Sequence, residues 1–201
     1  MPKIGLIGGS GLQDIPGLRL IEERVVETPF GPPSAPYRIG ELSGVKIAFL
    51  PRHGSPHRIA PHKVNYRANI YGFKLLGVQR IISVSAAGGI NPALKPGEIV
   101  IHEQVIDTTQ GARPSTFYEQ DEVVHIDFTE PYCPDLREAL LASAQSAGMG
   151  KLKSAVYICS NGPRLESRAE IKYFSLIGAD VVGMTGMPEA ALARELELLL
   201  A

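Results

Sequence analysis

No apolar run in these 201 residues approaches the ~20 needed to cross a bilayer. Neither sign of charge dominates, with 20 Lys and Arg against 21 Asp and Glu. The first absence excludes a membrane-spanning helix. The second argues against nucleic-acid and membrane-surface roles, which draw on a basic excess. Cysteine is scarce: Cys133 and Cys159 lie far apart without CxxC spacing, so a reduced, cytoplasmic chain is expected rather than a disulfide framework. The opening MPKIGLIGG has one Lys and a short apolar run that ends in glycines. It reads as a first strand and not as a secretory signal. Repeats, linkers and low-complexity tracts are missing too. His53 and His57 are four apart, but Pro56 between them argues against a helix and no acid lies nearby. No metal is therefore expected there or elsewhere.

What is present is a globular composition, 44% hydrophobic and 20% charged, with length for one domain, residues 1–201. The organising stretch is RIISVSAAGGIN, Arg80–Asn91. Ile81, Ile82 and Val84 make it open as a buried strand. It then turns abruptly to Ser85-Ala86-Ala87-Gly88-Gly89. Small residues let the backbone approach a ligand closely and let successive N–H groups converge. A tight turn after a core strand has the same composition. Two further segments, IGLIGGSG at Ile4–Gly11 and VVGMTGMP at Val181–Pro188, repeat the design of apolar strand followed by Gly with Ser or Thr. Three such strand ends predict one shared anion site. GGSG is not a dinucleotide fingerprint, because counting from Gly9 and Gly11 the third glycine position falls on Asp14.

Between these landmarks, Val25-Val26, Tyr37–Ile39 and Val45–Leu50 read as antiparallel strands separated by turns such as Phe30–Pro33. PRHGSPHRIAP, Pro51–Pro61, gathers Arg52, His53, His57 and Arg58. Such a loop can be merely solvated, or its Arg fork and imidazoles can face an oxyanion. Lys63–Leu76 is predicted to be a helix burying Val64, Ala68, Tyr71, Leu75 and Leu76. Gly97–Val105 follows as a strand, Asp107–Thr116 as a polar loop and Val123–Pro134 as irregular chain. Asp135–Ala147 reads as an amphipathic helix closed by Gly148. Ala155–Cys159 is a strand, Ser167 with Glu170 forms a capping box for a helix through Ile177, and Pro188 starts a last helix, Glu189–Leu199. Strands alternating with helices predict an α/β three-layer sandwich, a mixed central sheet flanked by helices.

Taken together, IGLIGGSG, TPFGPPSAP, PRHGSPHRIAPHKVNYRAN, SAAGGIN, PGEIV, HIDFTEPYCP, NGPRLESRAEI and GADVVGMTGMPEAALARE resemble the purine nucleoside phosphorylase family. The match is best with its methylthioadenosine, methylthioinosine and 6-oxopurine branches, and it covers essentially the whole chain in order. The resemblance implies that inorganic phosphate, a co-substrate, attacks the anomeric carbon of a purine nucleoside, with no organic cofactor. It places phosphate at Ser10, Arg52, His53, Ser85, the Ala86 N–H and Thr185. Met184 would lie against the ribose and Leu165 on the purine face. It also implies a homotrimer, or a hexamer, in which His125 reaches the 5′ end of a neighbour's substrate. Read alone, a single histidine such as His125 in irregular chain is more often structural than functional.

Glu166 separates the branches. A 6-oxopurine carries N1–H, which a carboxylate can accept, whereas adenine N1 is an acceptor and would oppose it. The other reading of Glu166 is an acid at a helix start. The expectation is phosphorolysis of inosine, guanosine or 5′-methylthioinosine. The alternatives are methylthioadenosine phosphorolysis and a non-catalytic purine- or phosphate-binding remnant. The remnant arises because the family continues past this chain's last helix into a strand bearing an Asp or Asn that contacts N7. The expectation is a C-terminally truncated form in which that residue lies beyond Ala201, so no catalytic side chain is assigned.

Overall fold

The computed structural model describes residues 1–119 and 122–201. Its strands are β1 (Ile4–Gly8), β2 (Arg19–Arg24), β3 (Tyr37–Leu42), β4 (Val45–Pro51), β5 (Arg80–Val84), β6 (Gly88–Gly89), β7 (Val100–Asp107), β8 (Lys153–Cys159), β9 (Val181–Gly183) and β10 (Leu199–Leu200). Its helices are α1 (Tyr66–Leu75), α2 (Pro134–Ser146), α3 (Arg168–Leu176) and α4 (Gly186–Glu195). The expected mixed sheet comes as two. One is six-stranded in the order β10-β5-β1-β4-β3-β2, the other four-stranded in the order β6-β9-β8-β7. β10, β5, β1 and β4 are parallel, while β3 and β2 add antiparallel. The chain passes from the first sheet to the second at Ser85–Ala87, between β5 and β6.

Ile7, Ile39, Leu50, Ile70, Phe73 and Ile81 are fully or almost fully buried between the first sheet and its helices. Of the face predicted for α1, Val64, Ala68 and Leu76 are buried, Tyr71 is half-buried and Leu75 is not buried. The helix begins at Tyr66, capped by Asn65, whose side chain accepts from the Ala68 N–H. It buries Tyr66, Ala68, Asn69, Ile70 and Phe73, while Leu75 is 50% exposed. Asn69 is tolerated inside because it bonds the backbone N–H and hydroxyl of Ser34. The first antiparallel strand is Arg19–Arg24, and Val25-Val26 lies just past its end. The last helix stops at Glu195, Glu197 takes a positive φ of 56°, and Leu199-Leu200 pairs with β5 instead of continuing the helix. The capping box of α3 forms as predicted, with Ser167 and Glu170 exchanging bonds.

β5 is less covered than expected. Val84 is 39% exposed and lines a cavity of about 860 Å³ bounded by residues 94–102, the Leu140–Ala147 face of α2 and Ala201.

His102 of β7 also lines this cavity, packed on Tyr157 with ring centroids 4.5 Å apart. Burial pushes its pKa down from 6.5 to about 4. Between those values the unfolded chain binds a proton that the fold does not. Stability is therefore complete above pH 6.5 and falls as the pH drops toward about 4, by up to about 3 kcal/mol. Urea melts of the protein and of His102→Leu at about pH 7 and about pH 4 check this. The variant is expected to lose less stability on acidification, and equal losses would contradict the assignment.

Candidate functional site

Three strand ends converge as the sequence predicts. Gly9 follows β1 and donates its N–H to the Val84 carbonyl at 2.9 Å. A Cβ there would meet Arg52 Nη1 at 2.6 Å and the Val84 oxygen at 2.7 Å, so only glycine lets β1, β5 and Arg52 come together. Beyond Gly9, Val84 and Gly183 the chain presents Ser10, Ser85-Ala86 and Met184-Thr185 around a cavity of about 220 Å³. Of the residues singled out from sequence, Ser10, Arg52, His53, Ser85, Ala86, Leu165, Glu166, Met184 and Thr185 all line it. His125 does not, and it is exposed elsewhere. His57, Pro61, Gly88, Val182 and Gly183 complete the wall.

Thr185 is the N-cap of α4, yet its side chain makes no capping bond, although the residue is 5% exposed. Its backbone is fixed from behind, where Tyr157 Oη accepts from the Thr185 N–H at 3.2 Å and the Gly186 N–H at 3.3 Å. The Thr185 hydroxyl is thereby left for a ligand, beside those of Ser10 and Ser85. Preorganised hydroxyls and N–H groups in a concave site suit a tetrahedral oxyanion.

Arg52 behaves differently from the expectation. Its fork does not open onto the cavity but grips Glu189, with Nε to Oε1 at 2.5 Å and Nη2 to Oε2 at 3.0 Å. Nη2 also donates to Ser83 Oγ at 2.6 Å, Ser83 donates on to Glu189 Oε2 at 2.8 Å, and Nη1 donates to the Val84 carbonyl at 3.1 Å. One Nη1 hydrogen remains of the five a guanidinium carries. Both charged side chains are 1% exposed. Burial works against the Arg52 charge, but Glu189 outweighs it and raises the pKa above the ordinary value. The pair is neutral as a unit, so the cavity draws mainly on dipoles and not on an unpaired cation.

On the opposite side Ser160 Oγ donates to Glu166 Oε1, and the Ser160 N–H bonds the Gly183 carbonyl at 2.8 Å. Glu166 Oε2 has no partner among the described residues. Leu165, beside it, is 80% exposed, as an apolar lid over an open cavity would be. Gly162, at φ 63°, passes so close to Met184 that a Cβ would lie 2.5 Å from its sulfur.

Arg113 was passed over in the sequence as part of a polar loop. It is 6% exposed and joins the cavity's supports, donating to the Met187 carbonyl at 2.6 Å, the Asn161 carbonyl at 2.8 Å and Tyr66 Oη at 3.1 Å. It braces the loop before Glu166 against the start of α4. An isolated Arg among Gly, Ala and Pro carries no pattern that announces this. Among the described residues no group of three or more His, Cys, Asp or Glu side chains is placed to hold a metal, and no helix is long and apolar enough to cross a membrane.

The chain is similar to a protein of Thermodesulfovibrio yellowstonii named "probable S-methyl-5′-thioinosine phosphorylase", 55% identical over 196 residues, 98% of this chain and 73% of that one. It is 51% identical over 195 residues to an S-methyl-5′-thioadenosine phosphorylase of Geobacter sulfurreducens, covering 97% of this chain and 68% of the relative. Its fold superposes on a methylthioadenosine phosphorylase of Schistosoma mansoni in complex with adenine with a TM-score of 0.94, at 34% identity over 100% of this chain and 76% of that one. A family model described as the phosphorylase superfamily matches residues 3–201. Sequence, fold and the convergence of three strand ends on one cavity agree: the chain belongs to the phosphorylase superfamily.

Proposed function

We propose that the chain catalyses phosphorolysis of 6-oxopurine nucleosides, such as inosine, guanosine or 5′-methylthioinosine. A phosphate oxygen bonds to C1′ as the C1′–N9 bond breaks. The bonding electrons leave with the purine, which gains overall the proton that hydrogen phosphate loses, and the sugar departs as its 1-phosphate. Phosphate lies among Ser10, Ser85, the Ala86 N–H, Thr185, His53 and the one spare Nη1 hydrogen of Arg52, with Met184 toward the ribose and Leu165 over the base. Preorganised donors stabilise charge that shifts between phosphate and base at the transition state.

The names of the relatives divide between thioinosine and thioadenosine at similar identity. The carrying observation is therefore Glu166: one carboxylate oxygen is held by Ser160 and the other has no partner, in the wall of the same cavity. A free carboxylate oxygen suits a purine N1–H donor and opposes the N1 acceptor of adenine. The similarity to thioadenosine phosphorylases favours the second reading, 5′-methylthioadenosine as substrate. Incubating the protein with each of four nucleosides and following base release by chromatography decides between them. Phosphate-dependent release from inosine, guanosine and methylthioinosine, exceeding release from methylthioadenosine, is expected. Release without phosphate, or a preference for methylthioadenosine, would overturn the proposal.

The proposal needs no metal or organic cofactor, and it places a single-domain, cytoplasmic enzyme in a homotrimer. The exposed position of His125, outside the cavity of its own chain, supports its assignment to a neighbour's site.

A further inference from the structure

Most groups around the small cavity can offer a hydrogen: the hydroxyls of Ser10, Ser85 and Thr185, the Ala86 N–H and Arg52 Nη1. His53 differs. Its Nδ1 lies 2.8 Å from the carbonyl oxygen of Ile59. A carbonyl only accepts, so the hydrogen is on Nδ1, and in the neutral ring Nε2 bears a lone pair and no proton. The loop locks this arrangement, because the His53 carbonyl accepts from the N–H groups of both Arg58 and Ile59 at 3.0 Å. One ring face is covered by His57, stacked at 4.4 Å and 2°. With Nδ1 committed and a face covered, the edge that His53 offers to the cavity carries Nε2, which has no partner among the described residues.

We infer that His53 accepts a hydrogen bond from the bound anion, so that the site selects an oxyanion carrying its own proton, hydrogen phosphate, over a fully ionised one of the same shape and charge, such as sulfate. This rests on reading the small cavity as the phosphate site. Burial holds the ring neutral by lowering its pKa; the bond to Ile59 and the charge of Glu189 oppose this, and Arg52 and His57 reinforce it. The Arg52–Glu189 pair is neutral and attracts both dianions alike, which leaves the proton to decide. Hydrogen phosphate can satisfy the hydroxyls and N–H groups with its unprotonated oxygens and give its P–OH to Nε2. Sulfate must set an oxygen against that lone pair.

Calorimetric titration with inorganic phosphate, arsenate and sulfate, in mildly alkaline buffer of fixed ionic strength, tests this on the protein itself and on His53→Gln. The unaltered protein is expected to bind phosphate and arsenate at least about tenfold more tightly than sulfate. In His53→Gln the ratio should shrink to within about threefold, since an amide can turn either N–H or C=O toward the anion. Sulfate binding as tightly as phosphate to the unaltered protein overturns the inference while leaving the phosphate site in place. A ratio unchanged in His53→Gln overturns it too, by assigning the discrimination to another group. Failure of all three anions to bind overturns the phosphate site itself, and the inference with it. Should the variant not fold, His53→Asn, which also carries an amide, takes its place in the same comparison.

Discussion

Glu189→Ala is expected to remove about 3–5 kcal/mol of folding stability and to weaken phosphate binding, because Arg52 loses the partner that fixes its spare Nη1 hydrogen. The expectation follows from where the carboxylate sits. Glu189 and Arg52 are each 1% exposed and joined by two hydrogen bonds, at 2.5 and 3.0 Å. Deleting the acid leaves a guanidinium, 1% exposed, with no counter-charge. Ser83 loses its acceptor at the same time. Gln at 189 keeps the shape and one acceptor oxygen but not the charge, so a smaller loss is expected. The double replacement Arg52→Met with Glu189→Leu removes both charges and should recover much of the stability, as buried ion pairs exchanged for apolar residues often do. It should not recover phosphate affinity, because the Nη1 donor goes with Arg52. Urea unfolding measures the first effect and calorimetry the second. A loss below about 1 kcal/mol in the single variant would mean that the pair opens to water and is not the buried unit described here.

How far this was legible in the sequence depends on the range of each interaction. The strand ends at Gly9-Ser10, Ser85-Ala86 and Thr185 were legible because the signal is local: β-branched runs that stop at small or hydroxyl residues. The capping box at Ser167 and Glu170 was legible for the same reason. The partner of Arg52 was not. Glu189 is 137 positions away, and in sequence it is only an acid in the first turn of a helix. Arg52 was accordingly assigned to the anion, when most of its hydrogens are committed to the protein. The sequence predicts a last helix over Glu189–Leu199, started by Pro188 and made of residues that favour helices. Pairing of Leu199-Leu200 with β5 overrides that preference once Glu197 has turned the chain. In and beside α1 the apolar positions Val64, Ala68 and Leu76 are buried as the sequence predicts, whereas the inward Tyr66 and Asn69 carry no apolar signal. Tyr66 and Asn69, polar in composition, then find partners inside, at the Pro61 carbonyl and at Ser34.

Glu166→Gln is expected to narrow the preference for 6-oxopurine over 6-aminopurine nucleosides by one to two decades in kcat/KM. A carboxylate accepting from N1–H makes a charged hydrogen bond worth about 1.5–3 kcal/mol. The amide can present an oxygen to hypoxanthine or an N–H to adenine, so one substrate class loses and the other gains. The competing account makes Glu166 an acid that favours the start of α3. That place is already taken: Glu170 completes the capping box with Ser167 and is held by Arg164 at 2.7 and 2.8 Å, while Glu166 turns back to Ser160 and the cavity. A helix-start role would cost about 0.3–1 kcal/mol of stability on removal of the charge and leave selectivity unmoved. The two accounts therefore predict opposite patterns in one experiment, urea melts and paired kinetics on inosine and adenosine, and on their 5′-methylthio forms. Ser160→Ala sharpens it. With its hydroxyl gone, Glu166 loses the bond that orients it, so the preference should fall by less than in Glu166→Gln but in the same direction for both sugars. A preference that follows the 5′ substituent and not the base, or one unchanged in Glu166→Gln, would return Glu166 to the helix.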